Sequence, residues 1–192
     1  MLRRFAKWIA ELLFAPYELN RIYLLDVTQY DKAAPSGFDL RPITSPDQIR
    51  DSPDPQMREH AWYAGEEAHA FGLWENGALV CMCVFWSHRR FRDAGILKLQ
   101  ERQVVMVDLI TVAECRGRGY APIVIRYAET ELKRAGFQTL YSWVWHSNQP
   151  SIRAFEKAGW SYIAFVAKLT PIGYGKAIRL ERRVRPRVPR LS

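Results

Sequence analysis

One stretch, residues 104–134, restricts the fold more than any other part of the chain. It opens with an apolar run rich in β-branched residues, 104–112, whose composition and length predict a strand. A tight turn containing Gly117 and Gly119 follows, and apolar residues at helical spacing then continue to Gly136, where a helix would stop. A strand, a glycine turn and a helix start direct unpaired backbone N–H groups and the positive end of a helix dipole at one point. The sequence therefore predicts a phosphate-binding site at this turn.

This turn resembles the pyrophosphate-binding motif of a known family, the GNAT acyltransferase superfamily. The family motif is Gln or Arg, two residues, Gly, one residue, and then Gly or Ala. Arg116, Gly119 and Ala121 match it in that order, after the predicted strand and before the predicted helix. A dinucleotide-binding fingerprint fits less well because Pro122 takes its third glycine position, and the Gly-Lys-Ser/Thr of a Walker loop is absent. A plain strand-to-helix turn, using glycine for a positive φ, is the alternative.

A second stretch downstream resembles the same family. The family pattern there is an Asn, then Ser or Ala, then an aromatic residue, then Gly followed by another aromatic residue. The matching positions are Asn148, Ser151, Phe155, Gly159 and Trp160. Together with the first motif, the resemblance covers residues 38–181, which is most of the chain.

The resemblance implies a fold and a domain organisation. The expected class is α/β (α+β): a single GNAT-like domain whose mixed, mostly antiparallel central sheet has about six to seven strands flanked by helices. The apolar pattern of residues 1–14 further predicts an extra N-terminal amphipathic helix before this domain. We expect an N-terminal amphipathic extension at residues 1–36, the acyltransferase domain at 37–182 and a basic, disordered tail at 183–192.

Local patterns predict the elements of this domain. Asn76-Gly77 separates two apolar runs within residues 69–86, which predicts a tight hairpin. Residues 44–56, with three prolines, predict a loop with at most one short helical turn, and residues 58–70 predict a weak helix. Residues 21–27 predict a further buried element outside the family core. Other strands are predicted at 38–43, 139–145, 162–169 and 176–180, and another helix at 150–158.

The two ends of the chain carry much of its net charge of +8. Residues 1–14 form an apolar helical stripe with basic residues opposite, too short and too charged to span a bilayer. One interpretation packs the stripe on its own domain or on a second copy in a homodimer, and the other lays it on an anionic membrane surface. The expected location is the cytoplasm, with peripheral contact to the inner face of the membrane under the second interpretation. The tail attracts nucleic acid or lipid only through charge, so no specific nucleic-acid partner is expected.

The three cysteines do not make a disulfide framework or a zinc site, because no CxxC pair or His-x₃₋₅-His spacing accompanies them. Cys81 and Cys83 share one face of a strand. Cys115, in the glycine turn, has no identifiable His partner that would make it a nucleophile. The sequence therefore predicts no metal and a reducing compartment.

The resemblance implies an N-acyltransferase that moves an acyl group, acetyl foremost, from acyl-CoA to a primary amine. The co-substrate would be acetyl-CoA or another acyl-CoA, and the acceptor an amine on a small molecule, an envelope precursor or a protein. The strand before the turn would offer backbone N–H groups to the thioester carbonyl and the pantetheine amides, and the turn would hold the pyrophosphate. The residues implied to bind the coenzyme are Ile110, Thr111, Val112, Arg116, Gly117, Arg118, Gly119, Tyr120, Ala121, Asn148, Ser151 and Phe155.

Two residues are candidates for the base that takes a proton from the amine. Asp108 lies inside an otherwise apolar strand, where burial would raise its pKa to a useful value; a salt bridge with an arginine is the alternative. His146 ends the strand after the helix, and imidazole titrates near neutrality; a purely structural hydrogen bond is its alternative. Asn148 fits both a helix cap and a contact with the pantetheine arm.

Two positions depart from the family pattern. Pro122 has no N–H, so any phosphate contact made there by other members is missing. Phe155 stands where many members carry a Tyr that protonates the leaving thiolate, and Phe cannot donate a proton. Because thiol pKa values lie near about 8–9, a CoA thiolate leaves readily, and acyl transfer remains the favoured function. Two alternatives stay open: a non-catalytic CoA-binding module that regulates or scaffolds a partner, and an acyltransferase whose donor is an acyl carrier protein.

Overall fold

The computed structural model describes residues 14–29, 33, 35–91, 97–171 and 176–184, and eight strands within these residues form one sheet. The strands are β1 (Phe14–Asp26), β2 (Asp39–Ile43), β3 (Ala68–Glu75), β4 (Ala78–Ser87), β5 (Gln103–Thr111), β6 (Thr139–Trp145), β7 (Ser161–Pro171) and β8 (Ile178–Arg183). The α-helices are α1 (Asp47–Arg50), α2 (Pro55–Glu59), α3 (Tyr120–Arg134) and α4 (Gln149–Ala158), and short 3-10 helices lie at Val27–Gln29, His60–Tyr63 and Ala113–Cys115.

The order of strands in the sheet is β2-β3-β4-β5-β6-β1-β7-β8. Neighbouring strands run antiparallel except for β5 and β6, which are parallel. This mixed sheet with its flanking helices confirms the predicted fold class, with eight strands where the sequence predicted about six to seven. None of the helices in the described part of the chain is long and apolar enough to cross a bilayer.

The N-terminal strand β1 lies in the interior of the sheet, between β6 and β7. Asn20, for example, is opposite Trp145 on one side and Val166 on the other, and Tyr23 is fully buried. Sequence analysis assigned this segment to an extension and to an element outside the family core. The apolar pattern indicated burial but could not identify the strands with which the segment pairs. The helix predicted for residues 1–14 lies outside the described residues, apart from Phe14, which begins β1.

The hairpin of β3 and β4 forms at the predicted turn. Asn76 and Gly77 both have positive φ, 53° and 79°, as the tight primed turn requires. Glu75 pairs with Ala78 across this turn, and the pairing continues to Ala68 with one register shift between Leu73 and Trp74. The local turn chemistry was therefore sufficient to predict the pair of strands.

The weak helix predicted for residues 58–70 is wrong. A short helix instead begins earlier, at Pro55, because the Asp54 carboxylate caps it by accepting the Met57 N–H at 2.8 Å. It passes into the 3-10 turn His60–Tyr63, and β3 has begun by Ala68.

The parallel pair β5 and β6 separates halfway along its length. The pairing runs from Gln103 opposite Thr139 to Met106 opposite Ser142, and no further. β5 carries an irregularity opposite the step from Val84 to Phe85, and beyond it β5 stays paired with β4 while β6 stays paired with β1. The two strands therefore diverge and leave a gap in the middle of the sheet.

The two faces of the sheet meet different elements. Helix α3 covers one face, where Cys83 Sγ lies 4.0 Å from the Val124 carbonyl oxygen. Helix α4 contacts α3, and its Phe155 ring stacks on Tyr23 with centroids 5.5 Å apart. The segment 47–63 covers the other face, where the Trp86 indole N–H donates to a backbone carbonyl of the 3-10 turn at 2.7 Å. We call these the helix face and the loop face.

Candidate active site

A cavity of about 720 Å³ opens where β5 ends and α3 begins, and we call it the turn cavity. The glycine turn forms its floor, the last residues of β5 form one wall and the first two turns of α4 form the other. Residues from the loop face complete it. Its lining is Gln56, His60, Leu109, Ile110, Thr111, Cys115, Arg116, Gly117, Gly119, Tyr120, Ala121, Pro122, Asn148, Pro150, Ser151, Arg153, Ala154 and Lys157.

The turn itself is shaped to present backbone N–H groups. Gly117 and Gly119 both have φ of 82°, a left-handed conformation that L side chains rarely adopt, and a Cβ at either position would meet no atom within 4 Å. The backbone N–H groups of residues 117–119 donate to no backbone carbonyl among the described residues. Those amides and the first N–H groups of α3 therefore stay available for an anion.

The turn cavity is also positively charged. Arg116, Arg153 and Lys157 line it, and none of its described lining residues is Asp or Glu. Sequence analysis missed Arg153 and Lys157. Their spacing of four residues on the predicted helix 150–158 would have put them on one helix face.

Most residues predicted to bind coenzyme line this cavity, and three do not. Val112 is buried, and its N–H donates to the Val80 carbonyl at 3.0 Å. The Arg118 guanidinium turns away and forms an ion pair with Glu75 at 3.1 Å. Phe155 lies deeper, at the second cavity described below. The coenzyme-binding roles themselves stay predictions.

The side chains of Glu75 and Gln56, which lie outside the motif, hold the turn in place. Glu75, at the end of β3, accepts hydrogen bonds from the Tyr120 hydroxyl at 2.9 Å and from Arg118 at 3.1 Å. Arg116 donates from Nε to the Thr111 carbonyl at 3.0 Å and from Nη2 to Gln56 Oε1 at 2.9 Å. Neither partner could be found from the motif, because both come from segments distant in sequence.

A second cavity of about 240 Å³ lies in the gap between β5 and β6, and we call it the gap cavity. It shares Leu109, Asn148 and Ser151 with the turn cavity, so the two adjoin. Its lining is Asn20, Met106, Val107, Asp108, Leu109, Ser142, Trp143, Val144, Trp145, Asn148, Ser151 and Phe155. A ligand seated on the turn can therefore extend into the middle of the sheet.

Asp108 forms a pair with His60 at the edge of this gap. Asp108 Oδ2 lies 2.9 Å from His60 Nδ1, and the two side chains are 9% and 27% exposed. Burial raises the pKa of Asp108 above its ordinary value, against the positive charge and hydrogen bond of His60 and a hydrogen bond from the Leu109 N–H. Burial, together with the Asp108 charge, also raises the pKa of Tyr63. Sequence analysis expected an arginine as the alternative partner of Asp108; the partner is a histidine that it missed.

The other predicted base, His146, is not brought to this pair. Its ring lies 5.4 Å from that of Trp145, its backbone N–H donates to the Leu19 carbonyl at 2.9 Å, and it lines neither cavity. Its buried Nδ1 has no hydrogen-bond partner among the described residues. Its role as a base stays a prediction that this placement does not support.

Asn148 of α4's N-terminus lies at both cavities, whereas Phe155 of α4 lies at the gap cavity alone. The Asn148 Oδ1 accepts the Ser151 N–H at 3.3 Å and so caps α4, while Asn148 also lines both cavities. Both interpretations of Asn148 are therefore compatible with its position. Phe155 is 2% exposed, packed between Tyr23 and Trp160, and offers the gap no proton donor.

The three cysteines are free and buried. Burial raises the pKa of Cys81 to about 12 and that of Cys83 well above its ordinary value. The pKa of Cys115 is also raised by burial. Thiols in this state are poor nucleophiles. Across the described ranges, no three His, Cys, Asp or Glu side chains are grouped so that they could hold a metal ion.

Comparisons with known proteins agree with the fold. Several solved structures share the fold. A GNAT-family acetyltransferase structure from Novosphingobium aromaticivorans has a TM-score of 0.55 at 16% identity, over 81% of this chain and 65% of that one. A GCN5-related N-acetyltransferase from Kribbella flavida has a TM-score of 0.57 at 13% identity, over 88% of this chain and 63% of that one. The ribosomal-protein-S18-alanine N-acetyltransferase from Escherichia coli has a TM-score of 0.51 at 14% identity, over 72% of this chain and 96% of that one.

The chain thus spans less than two thirds of the length of the first two structures, 65% and 63%. No curated protein matches the sequence. The family model described as the Acetyltransferase (GNAT) family matches residues 38–160, from the residue before β2 to the aromatic residue after α4. This match covers more than half of the chain and includes both motifs. The chain therefore belongs to the GNAT acetyltransferase family.

Proposed function

We propose that this protein is an N-acyltransferase that moves an acyl group, acetyl foremost, from acyl-CoA to a primary amine. One observation carries the proposal: a basic cavity, with no carboxylate among its described lining residues, adjoins the gap between β5 and β6, where a buried carboxylate is paired with a histidine. Family membership implies an acyl-CoA donor and an amine acceptor. The turn cavity would hold the coenzyme's pyrophosphate, and the gap cavity would bring its thioester to the acceptor beside Asp108.

The coenzyme would be bound mainly by the backbone. The N–H groups of residues 117–121 would take the pyrophosphate, with Arg116, Arg153 and Lys157 adding charge. Each charge-assisted hydrogen bond contributes about 1.5–3 kcal/mol, so a few of them approach the roughly 8 kcal/mol of micromolar binding. Past Met106, the edge of β5 that faces β6 has no strand partner among the described residues, so its peptide groups, apart from the Leu109 N–H that donates to Asp108, would serve the pantetheine amides.

Asp108 and His60 would handle the proton in the transfer. The amine nitrogen bonds to the thioester carbon, the carbon–sulfur bond breaks, and the sulfur leaves as a thiolate. The proton that the amine loses goes to the Asp108–His60 pair, whose carboxylate is buried and whose imidazole reaches the turn cavity. Since Phe155 has no donor, the thiolate leaves unprotonated and takes its proton from solvent.

A second function is favoured by Phe155 alone: a CoA-binding module without catalysis, which regulates or scaffolds a partner. A donor carried by an acyl carrier protein is the remaining alternative. Incubation with acetyl-CoA and a panel of amines, with thiol release followed over time, separates these functions. Release with at least one amine supports acyl transfer. CoA binding without release for any amine supports the module, and release only from an acylated carrier protein supports the third function.

We also propose a reducing compartment, the cytoplasm, which the three free, buried cysteines support. The acceptor class named above, an amine on a small molecule, an envelope precursor or a protein, is refined in the next subsection. A homodimer and a membrane contact through residues 1–13 both stay predictions, since those residues lie outside the described part of the chain.

A further inference from the structure

A buried polar side chain on the N-terminal strand faces the gap between β5 and β6. Asn20 is 6% exposed and lines the gap cavity together with Asp108. It precedes the residues that match the family model, which begin at 38. This wall of the gap cavity is therefore formed by a part of the chain that lies outside the family match.

The carboxamide of Asn20 has no hydrogen-bond partner within the described residues, and its atoms are not sealed from the cavity. Burying an amide without a hydrogen bond is unfavourable, and such groups in native proteins have a partner in nearly all cases. Both neighbouring strands pair with β1 through their backbones, so the carboxamide is not needed to hold the sheet. Its partner is therefore supplied from the cavity, by water or by a polar group of a bound ligand.

The register of the strands decides which side of the gap Asn20 faces. Asn20 points to the side opposite Tyr23, whose ring stacks on Phe155 of α4, so it lies on the loop face. Asp108 is opposite Val84, on the same face as Trp86, and its partner His60 comes from the loop face as well. Asn20 and Asp108 thus approach the gap from one side, and the glycine turn and α4 from the other.

We propose that Asn20 binds the acyl acceptor, and that the acceptor is a small amine carrying an uncharged hydrogen-bonding group, a hydroxyl or a carboxamide. This inference rests on the proposed function for the identity of the ligand as an acceptor. A neutral carboxamide can donate to and accept from such a group, whereas the neighbouring Asp108 carboxylate disfavours an anionic one. Trp143 and Trp145 also line the gap cavity and offer aromatic surface to the body of the acceptor.

Four amines that share a phenethyl body test this directly: phenethylamine, tyramine, L-phenylalaninamide and L-phenylalanine. We expect the unaltered protein with acetyl-CoA to turn over tyramine or the amide with a kcat/KM about 10-fold above that for phenethylamine, because one hydrogen bond is gained. L-Phenylalanine, with its carboxylate, should be the poorest. Asn20→Ala should remove the preference by raising the KM for the polar amine about 10-fold, with the KM for acetyl-CoA and the kinetics for phenethylamine unchanged.

The matched control is Glu18→Gln, two residues earlier on the same face, where the carboxylate pairs with Lys168 at 3.3 Å outside both cavities. It should leave all four acceptors and acetyl-CoA unchanged. If Asn20→Ala does not fold, two other measurements test the inference. One is the comparison of the four amines on the unaltered protein, and the other is the kinetics of the isosteric variant Asn20→Asp. Asn20→Asp keeps the shape but adds a carboxylate beside Asp108, and it should weaken the polar amines about as much.

Calorimetry of the same amines on the CoA-saturated protein separates this inference from the proposed function. Binding of tyramine or the amide that is lost in Asn20→Ala, without thiol release for any amine, would support the Asn20 contact while rejecting acyl transfer. Equal kcat/KM for all four amines, an equal loss for phenethylamine and the polar amines, or a weaker affinity for acetyl-CoA in Asn20→Ala would each overturn the inference.

Discussion

The glycine turn and the loop-face side of the gap show two ways of building the binding sites that we propose. The turn presents backbone N–H groups from one continuous stretch, residues 117–121, and needs glycine because φ is positive at two positions. The side of the gap opposite α4 depends on side chains from three separate segments, Asn20, His60 and Asp108. A site for an invariant group such as pyrophosphate can be encoded locally. A site that discriminates among acceptors requires the complete fold, and its residues are scattered.

The largest effect, a loss of CoA affinity, is expected from a substitution in the glycine turn. Gly119→Asp should raise the Kd for CoA at least about 100-fold, since it places a carboxylate against the phosphates and strains a residue at φ 82°. Titration calorimetry measures this, and circular dichroism checks that the domain stays folded. The control is Gly136→Asp, just beyond the other end of α3, at φ 89° and with open space for a Cβ. It carries a similar strain and should leave CoA binding unchanged; equal affinities in wild type and Gly119→Asp would reject the phosphate assignment.

The next effect concerns Asp108, the carboxylate of the site that is formed by side chains from three segments. Asp108→Asn should lower kcat about 100-fold, a typical contribution of general base catalysis, with the Kd for CoA unchanged. Steady-state kinetics with the fastest amine of the panel measures it. The exposed Asp39→Asn, which removes an ion pair with Arg41, is the control and should keep full activity. A kcat within threefold of wild type for Asp108→Asn would exclude the carboxylate from the chemistry.

Substitutions of two arginines, Arg153 and Arg118, test which residues contact the coenzyme in the proposed site. Arg153 lines the turn cavity, whereas Arg118, which belongs to the motif, is paired with Glu75 outside it. Arg153→Ala should therefore weaken CoA binding about 10-fold, in line with one lost charge-assisted hydrogen bond, and the loss should shrink at high salt. Arg118→Ala should cost less than about threefold, as exposed ion pairs usually do. The reverse order would mean that the sequence motif identifies the contacts better than the geometry does.

The smallest effect is on stability. The raised pKa of Asp108 means that the folded protein binds its proton more tightly than the unfolded chain does. The free energy of unfolding therefore falls as pH rises from the ordinary pKa of aspartate, about 3.9, through the raised value in the folded protein. Asp108→Asn removes this loss. Its Tm should exceed that of wild type at neutral pH, and the difference should shrink toward acidic pH; a difference that grows in acid would contradict the burial argument.

The sequence predicted the parts of the molecule that local chemistry determines. The turn from Arg116 to Ala121 and the Asn76-Gly77 hairpin follow from the backbone angles that those residues favour. Asp108 could be singled out because a carboxylate in an apolar strand needs a reason. The place of β1 between β6 and β7 could not be predicted, since its partners lie more than 100 residues away and its pattern says only that it is buried.

The same limit applies to the side chains that were missed or misplaced. His60 follows a proline-rich loop with no regular spacing, and only the folded chain brings it to 2.9 Å from Asp108. His146 was chosen because it ends a strand beside Asn148, but a strand end has two faces, and its ring lines neither cavity. Arg153 and Lys157 were recoverable from helical spacing.

The most direct test of the central claim is a crystal structure of the protein with bound acetyl-CoA. Our account predicts the pyrophosphate within hydrogen-bond distance of the N–H groups of residues 117–121 and the thioester in the gap beside Asp108. A turn that stays empty at saturating coenzyme, or one filled by the protein's own side chains, would contradict it.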